Sequence, residues 1–295
     1  MTQTEKAVIS TLIYYDLLDK PLTSLETYKY LFAAGERLSF SDFKRLLAQS
    51  TGIPKIIGAE NGLYFLNGRT DLLDQREDRL KSSQLKWKRL KKIAGILSLA
   101  PFVRLIAVTG SMTAHNTRPE SDFDLLIVSA KNRLWITRLA ITAIAALIGQ
   151  RRHGNLTRDR VCLNCYLDEE RLEIKPEFKP HDLHSAQEYG RLTPLLEIES
   201  GLYQKFVSAN SWLAQFLEIY PWPNFVNDKE ISSPKIFSAL RRLGEWLLNG
   251  RLGDWAEKRL GQWQTRRILK KTEYKPYDQV FVDSRCLMFH PQSKS

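Results

Sequence analysis

The residues best placed to do chemistry lie between Gly110 and Asp124. Gly110-Ser111 follows an apolar, β-branched run at 103–108, and after ten intervening residues Asp122-Phe123-Asp124 opens a second apolar run at 123–128. Side chains alternate along a strand, so Asp122 and Asp124 share a face, about 7 Å apart along it. Two such carboxylates repel unless a cation lies between them. A hard divalent ion such as Mg²⁺ prefers these oxygen ligands and leaves room for phosphate oxygens. A glycine just upstream lets backbone N–H groups approach a phosphate closely. The Ser111 hydroxyl adds a donor, and a short helix starting there would favour an anion. Other catalytic signatures are missing. No Gly-x-Ser-x-Gly elbow occurs, and His181-x-x-His184 lacks a glutamate at the metalloprotease position. Cys162-x-x-Cys165 and Cys286-x-x-x-His290 supply zinc-ligand types, but residues i and i+3 of a strand face opposite ways, which predicts buried free thiols.

Positioning these residues takes strands at 103–108, 123–128 and 161–167. The segment 134–148, apolar nearly all round, reads as a buried helix capped by Asn132. Its Arg138 sits amid apolar residues and needs an anionic or carbonyl partner, either a triphosphate or a structural acid. Arg151, Arg152 and Lys131 read as solvated loop residues. A short strand at 172–174 pairs with 161–167 around Asp168-Glu169-Glu170. Upstream, apolar spacing predicts a helix over 7–18. Thr23-Ser24-Leu25-Glu26 is a capping box opening a second helix to about Phe32. Ser39 or Ser41 caps a third helix, and Asn61-Gly62 joins 53–57 to 63–66 as a hairpin. A long helix over 71–99 carries Arg76, Arg79, Lys81, Lys86, Lys88, Arg89, Lys91 and Lys92; the run reads as a solvated face or as an electrostatic track for a polyanion with Trp87 as a stacking surface. Beyond Pro180 the chain reads as mostly helical, with segments near 185–189, 194–220, 234–248 and 254–271 broken by the loop at 221–224.

Thr109-Gly110-Ser111 and Ser121-Asp122-Phe123-Asp124-Leu125, at this spacing between strand-like runs, resemble the DNA polymerase β-like nucleotidyltransferase superfamily. The resemblance covers about 103–174. It implies an α/β (α+β) core, a mixed sheet flanked by helices, with two Mg²⁺ ions on Asp122 and Asp124. It also implies a nucleoside triphosphate, ATP first among them, as co-substrate, and transfer of its nucleoside monophosphate to an acceptor hydroxyl. Gly110, Ser111, Ser121 and Arg138 fall at candidate nucleotide contacts. Such enzymes take a third carboxylate from a later strand, where this chain has Asn164. An amide offers a carbonyl oxygen but cannot act as a base near neutral pH, so Asp159 and Glu173 are the acids nearest in sequence to replace it.

Three short helices and a hairpin resemble a winged-helix domain, which serves either packing or protein contact, or nucleic-acid contact through Lys44 and Arg45 on its third helix. The organisation expected is a winged-helix-like domain at 1–70, a basic connecting helix at 71–100, the transferase core at 101–178 and a helical region at 179–295. A regulatory nucleic-acid-binding protein with a degenerate, nucleotide-sensing transferase fold is the alternative.

The 295 residues include 44 Lys and Arg against 33 Asp and Glu, a formal charge of +11 that favours anionic partners. Three cysteines make no disulfide framework. No apolar stretch is long enough to span a membrane, and the N-terminus does not read as a leader. The expectation is a cytoplasmic protein without a membrane partner.

Overall fold

In a computed structural model, residues 1–35, 37–222, 227–272 and 280–289 are described. The first unit comprises α1 (Gln3–Asp16), β1 (Leu22–Thr23), α2 (Ser24–Lys29), α3 (Phe40–Gln49), β2 (Ile57–Glu60) and β3 (Leu63–Leu66). Local chemistry sets its boundaries. Thr2 and Glu5 form a capping box for α1, and Thr23 and Glu26 form one for α2. Ser39 caps α3. Asn61 and Gly62 both take positive φ, as the hairpin turn requires. The strands pair in the order β1-β3-β2, all antiparallel. Apolar residues of the three helices, with Leu22 and Ile57, make this unit's own core.

The second unit follows α4 (Leu72–Leu97). It comprises β4 (Val103–Val108), α5 (Gly110–Thr113), β5 (Phe123–Ser129), α6 (Leu134–Leu147), β6 (Val161–Asp168), α7 (Leu183–Gly190), β7 (Thr193–Glu197), α8 (Leu202–Ala209), α9 (Lys235–Leu247), α10 (Gly250–Thr272), β8 (Val280–Val282) and β9 (Cys286–Phe289). Six strands form one mixed sheet in the order β7-β4-β5-β6-β9-β8. β5 and β6 are parallel, joined by α6, and every other pair is antiparallel. One face packs on α4, α6 and α10 through Phe123, Leu125, Ile127 and Tyr166. The other packs on α7 and α8 through Leu105, Leu126, Val128 and Leu167. The protein is therefore a mixed α/β fold whose sheet is flanked by helices.

Several expectations change. Residues 172–174 form no strand; Leu172 and Ile174 instead fill the α7–α8 core. The sheet takes its outer strands from beyond residue 178. β7 overlaps the span expected to be helical at 194–220, and its Pro194 is tolerated because β7 is an edge strand. α6 is not apolar-buried all round: Ile141 and Ala145 are buried while Leu147 is exposed. Arg133, not Asn132, precedes its first turn. No helix among the described residues is long and apolar enough to cross a membrane.

α4 is a spine bolted to both units by part of its basic residues. Arg76 bonds Glu26 and the Pro21 carbonyl, and Arg79 bonds Asp19 and Asn116. Lys86 is buried and Arg89 pairs with Asp159. Trp87 is buried in the core, where it offers no stacking face.

Candidate functional site

Asp122 and Asp124 stand at the start of β5 on the α7–α8 face of the sheet, on the side chain alternation read from the sequence. The strand next to them is irregular. Leu125 pairs with Leu163, but Leu126 pairs with Cys165, so Asn164 is an extra residue in β6. A β-bulge of this kind re-aims a side chain. It places Asn164 and Cys165 consecutively on the face that Cys162 also occupies. Strict alternation predicted that Cys162 and Cys165 diverge, and the bulge removes that result. The thiols still serve different surroundings: Cys162 borders the acids, and Cys165 is buried beside Cys286 and Met288. His290 lies outside the described residues.

Asp122, Asp124 and Cys162 form a cluster with one potential ligand atom each, all within 4.8 Å of one another. Asn164 donates its side-chain amide to Oδ1 of Asp124 at 3.1 Å. Gly110 closes the site from the other side. Its φ is +69°, and a Cβ there would lie 2.7 Å from Oδ2 of Asp124. Only glycine allows the backbone this near to the carboxylate, in a conformation that L side chains resist. The Thr109 N–H donates to the Asp124 carbonyl at 3.0 Å, fixing the register between the Gly-Ser turn and β5. Ser111 follows on α5, partly exposed beside the cluster.

Burial, with the Asp122 carboxylate and then Glu188 on α7, pushes the Asp124 carboxyl up to about 7, against the opposing pull of the Cys162 thiol and Arg152. Burial and the same two aspartates push the Cys162 thiol up to about 12, so it stays protonated and neutral. Arg152 bonds Oδ2 of Asp122 at 2.6 Å and lies 3.5 Å from the Cys162 sulfur. Burial disfavours its charge, but Asp122, Cys162 and Asp124 together outweigh burial and raise its pKa. The expectation that Arg152 is merely solvated is thus corrected. Lys131 pairs with Glu170 away from this cluster.

The loop between the Gly-Ser turn and the acids is held from behind by Lys86. Its Nζ donates to the carbonyls of Pro119 at 3.0 Å and Ser121 at 2.8 Å, and to Oδ1 of Asp159 at 2.6 Å. Asp159 is therefore an anchor for this loop, not a replacement third acid. Glu173 is exposed on the chain after β6. The Ser121 hydroxyl accepts the Arg118 N–H at 3.0 Å and closes the turn. Arg138 is not brought to the acids. It reaches Gln264 on α10 and lies over the Phe289 ring, near Tyr166 on the opposite face of the sheet. Its partner is the structural carbonyl, not a site group.

Reading the sequence missed Arg152, Cys162 and Glu188. Cys162 was accessible in principle, since it precedes Asn164 by two on the same strand. Arg152 and Glu188 reach the site only through tertiary packing and carry no local signal.

The donor set has a definite chemical bias. Two carboxylates suit a hard divalent cation, whereas a soft, protonated thiol does not complete a hard-ion site. Residues present thus fit one such ion at Asp122 and Asp124, and the described residues bring no third carboxylate into the cluster. The chain matches no protein-family model, no curated protein and no solved structure.

Proposed function

We propose that the chain is a nucleotidyltransferase of the DNA polymerase β-like kind, passing a nucleoside monophosphate from a nucleoside triphosphate to an acceptor hydroxyl. One observation carries this reading: carboxylate oxygens of Asp122 and Asp124 lie within 4.8 Å of each other, and Oδ2 of Asp124 lies against the Gly110 backbone. Support also comes from the parallel β5–β6 pair, which brings Asn164 to Asp124, where the resemblance calls for the third acidic position. Asp122 and Asp124 would hold Mg²⁺, which when bound screens phosphate charge and lowers the pKa of an attacking hydroxyl. Gly110 and Ser111 orient the phosphates with backbone N–H and hydroxyl groups. Asn164 positions Asp124 but takes up no proton. The acceptor's proton therefore has no dedicated third carboxylate, and slow turnover follows. ATP is the first co-substrate to test, and one ion suits the donor set better than two.

A second reading rests on Asn164 and on the Arg152–Asp122 ion pair, which together mute the acidic cluster. On it, the transferase fold senses a nucleotide, and the first unit, α1 to β3 with its winged-helix-like order, reads nucleic acid through the exposed Lys44 and Arg45 on α3. Incubation with each α-labelled nucleoside triphosphate, Mg²⁺ and a pool of cellular RNA, protein and metabolites separates the two. Label transfer with pyrophosphate release, lost in Asp122→Ala and Asp124→Ala, supports the enzyme. Nucleotide binding without pyrophosphate supports the sensor.

A further inference from the structure

The surface of α9 and α10 is built unlike the rest of the molecule. Ile236, Leu240, Leu243 and Leu247 recur at i, i+4, i+7 and i+11, which is one stripe of a helix. That stripe faces outward: Ile236 is 67% exposed and the other three are more than half exposed. The inward side of α9 is a separate one, through Arg241, Gly244 and Glu245, which meet Ser98, Pro101 and Arg104. α9 therefore carries two faces, and only the polar-and-glycine one is used for packing. Three indoles are exposed as well, Trp246 at 73% on α9 and Trp255 and Trp263 on α10.

Charge is sorted on the same two helices. The acids of these two helices are engaged elsewhere. Glu245 bonds Arg104 and the Phe102 N–H, Glu257 bonds the N–H groups of Trp135 and Ile136, and Asp254 pairs with Arg133. The bases are left outward. Arg242, Arg251, Lys258 and Arg266 are exposed and form no ion pair among the described residues. Arg259 and Arg267 lie over the Trp255 and Trp263 rings, at 6.0 and 5.6 Å from the centroids.

Leucines, indoles and unpaired bases exposed on two consecutive helices, with the acids of those helices paired or hydrogen-bonded, are what an anionic bilayer interface recognises. We propose that the α9–α10 surface docks in the plane of an anionic lipid membrane, the α9 stripe entering the headgroup–acyl boundary and the arginines and lysines meeting lipid phosphates. A nucleic acid would use the bases and indoles but gains nothing from four aliphatic side chains in a row. A protein partner or a second copy would use the leucines but leaves the uncompensated positive charge unexplained. The proposal is independent of the transferase reading, and spanning is not involved.

The test is flotation of the full chain with vesicles of phosphatidylcholine alone and of phosphatidylcholine mixed with phosphatidylglycerol. The mixed vesicles should bind at least ~10-fold more tightly, and added salt should weaken that binding. Tryptophan emission should shift to the blue on binding. Leu240→Glu with Leu243→Glu should cost at least ~10-fold in vesicle affinity, while the melting temperature stays unchanged because both side chains are exposed. Arg251→Glu with Lys258→Glu should remove the preference for anionic vesicles. Failure of the wild-type chain to bind mixed vesicles at low salt overturns the proposal. So does equal binding by the leucine variant. A leucine-dependent dimer, or leucine-dependent binding of an RNA or duplex oligonucleotide, without vesicle binding also overturns it.

Discussion

Asn164 donates its side-chain amide to Asp124 from the one position that the β5–β6 register skips. The bulge and the hydrogen bond belong together: a regular strand would carry the next residue to the opposite face, and β6 instead keeps two consecutive side chains on the acidic side. Asn164 is a neutral neighbour to a carboxyl that already lies close to a second one. Replacing it with Asp removes the donor and adds a third charge. Asn164→Asp should therefore lower the metal-free melting temperature and enlarge the stabilisation by Mg²⁺, because three carboxylates cannot all ionise cheaply without a cation. Thermal melts of both proteins across a Mg²⁺ titration check this. An equal Mg²⁺-dependent shift in the two would reject the placement of Asn164 at the cation.

The Asp124 carboxyl gives the pH prediction. Its folded pKa is about 7, raised by burial, Asp122 and Glu188, against an unfolded value near ~3.9. Between these values the folded state binds the extra proton, so stability falls as pH rises through the window and levels off above about 7. The full effect is of order a few kcal/mol. His115 works in the opposite sense: burial, then the nearby Lys20, holds it to about 4, so its contribution grows as pH rises towards ~6.5. The difference between wild type and Asp124→Asn isolates the carboxyl. In chelator, that variant should gain stability relative to wild type on going from pH 5 to pH 8. Parallel curves would show that Asp124 titrates normally.

Gly110→Ala places a Cβ 2.7 Å from Oδ2 of Asp124 at a φ of +69°. Two costs combine: positive φ, about 1 kcal/mol, and displacement of the carboxylate, about another 1–2 kcal/mol. In an Asp124→Ala background only the first remains. Denaturant unfolding of the four proteins of this double-mutant cycle should give a coupling of about 1 kcal/mol or more. Additive effects would mean that the turn and the carboxylate do not touch.

Lys86→Met tests whether the basic helix is structural. Lys86 is buried with three partners, Asp159 and the Pro119 and Ser121 carbonyls. Removing it should cost about 3 kcal/mol, since it leaves buried acceptors unmet. Lys88 is exposed on the same helix, and Lys88→Met should change stability by no more than about 0.5 kcal/mol. If α4 were mainly an electrostatic track, the two substitutions would cost alike in stability and both would weaken oligonucleotide binding.

Freeing Asp122 should help a cation. Arg152 bonds Oδ2 of Asp122 at 2.6 Å, so guanidinium and metal compete for one oxygen. Arg152→Ala should tighten Mg²⁺ binding several-fold, read by calorimetry or by metal-dependent melting. Weaker binding would show that Arg152 organises the site instead.

Local rules settled what the sequence could settle by itself. The capping box Thr23–Glu26, the Asn61-Gly62 turn, the strands β4, β5 and β6 and the pairing of Asp122 with Asp124 on one face all depend on residues a few positions apart. Their physics is short-range hydrogen bonding, positive φ and the two-residue period of a strand. The same period failed at Asn164, because a bulge is decided by how β6 meets β5 and not by β6 alone. Pro194 in β7 reads as a breaker until the strand is known to lie on an edge. The fate of each charge was equally hidden. Lys86 and Arg152 are both basic residues on polar stretches, yet one is buried under the site loop and the other bonds an acid of the site. Arg138 called for a triphosphate or a structural acid, and its partner is the amide oxygen of Gln264. A side chain's charge is written in the sequence, but its partner is set by which helix packs across it, and only the tertiary structure decides that.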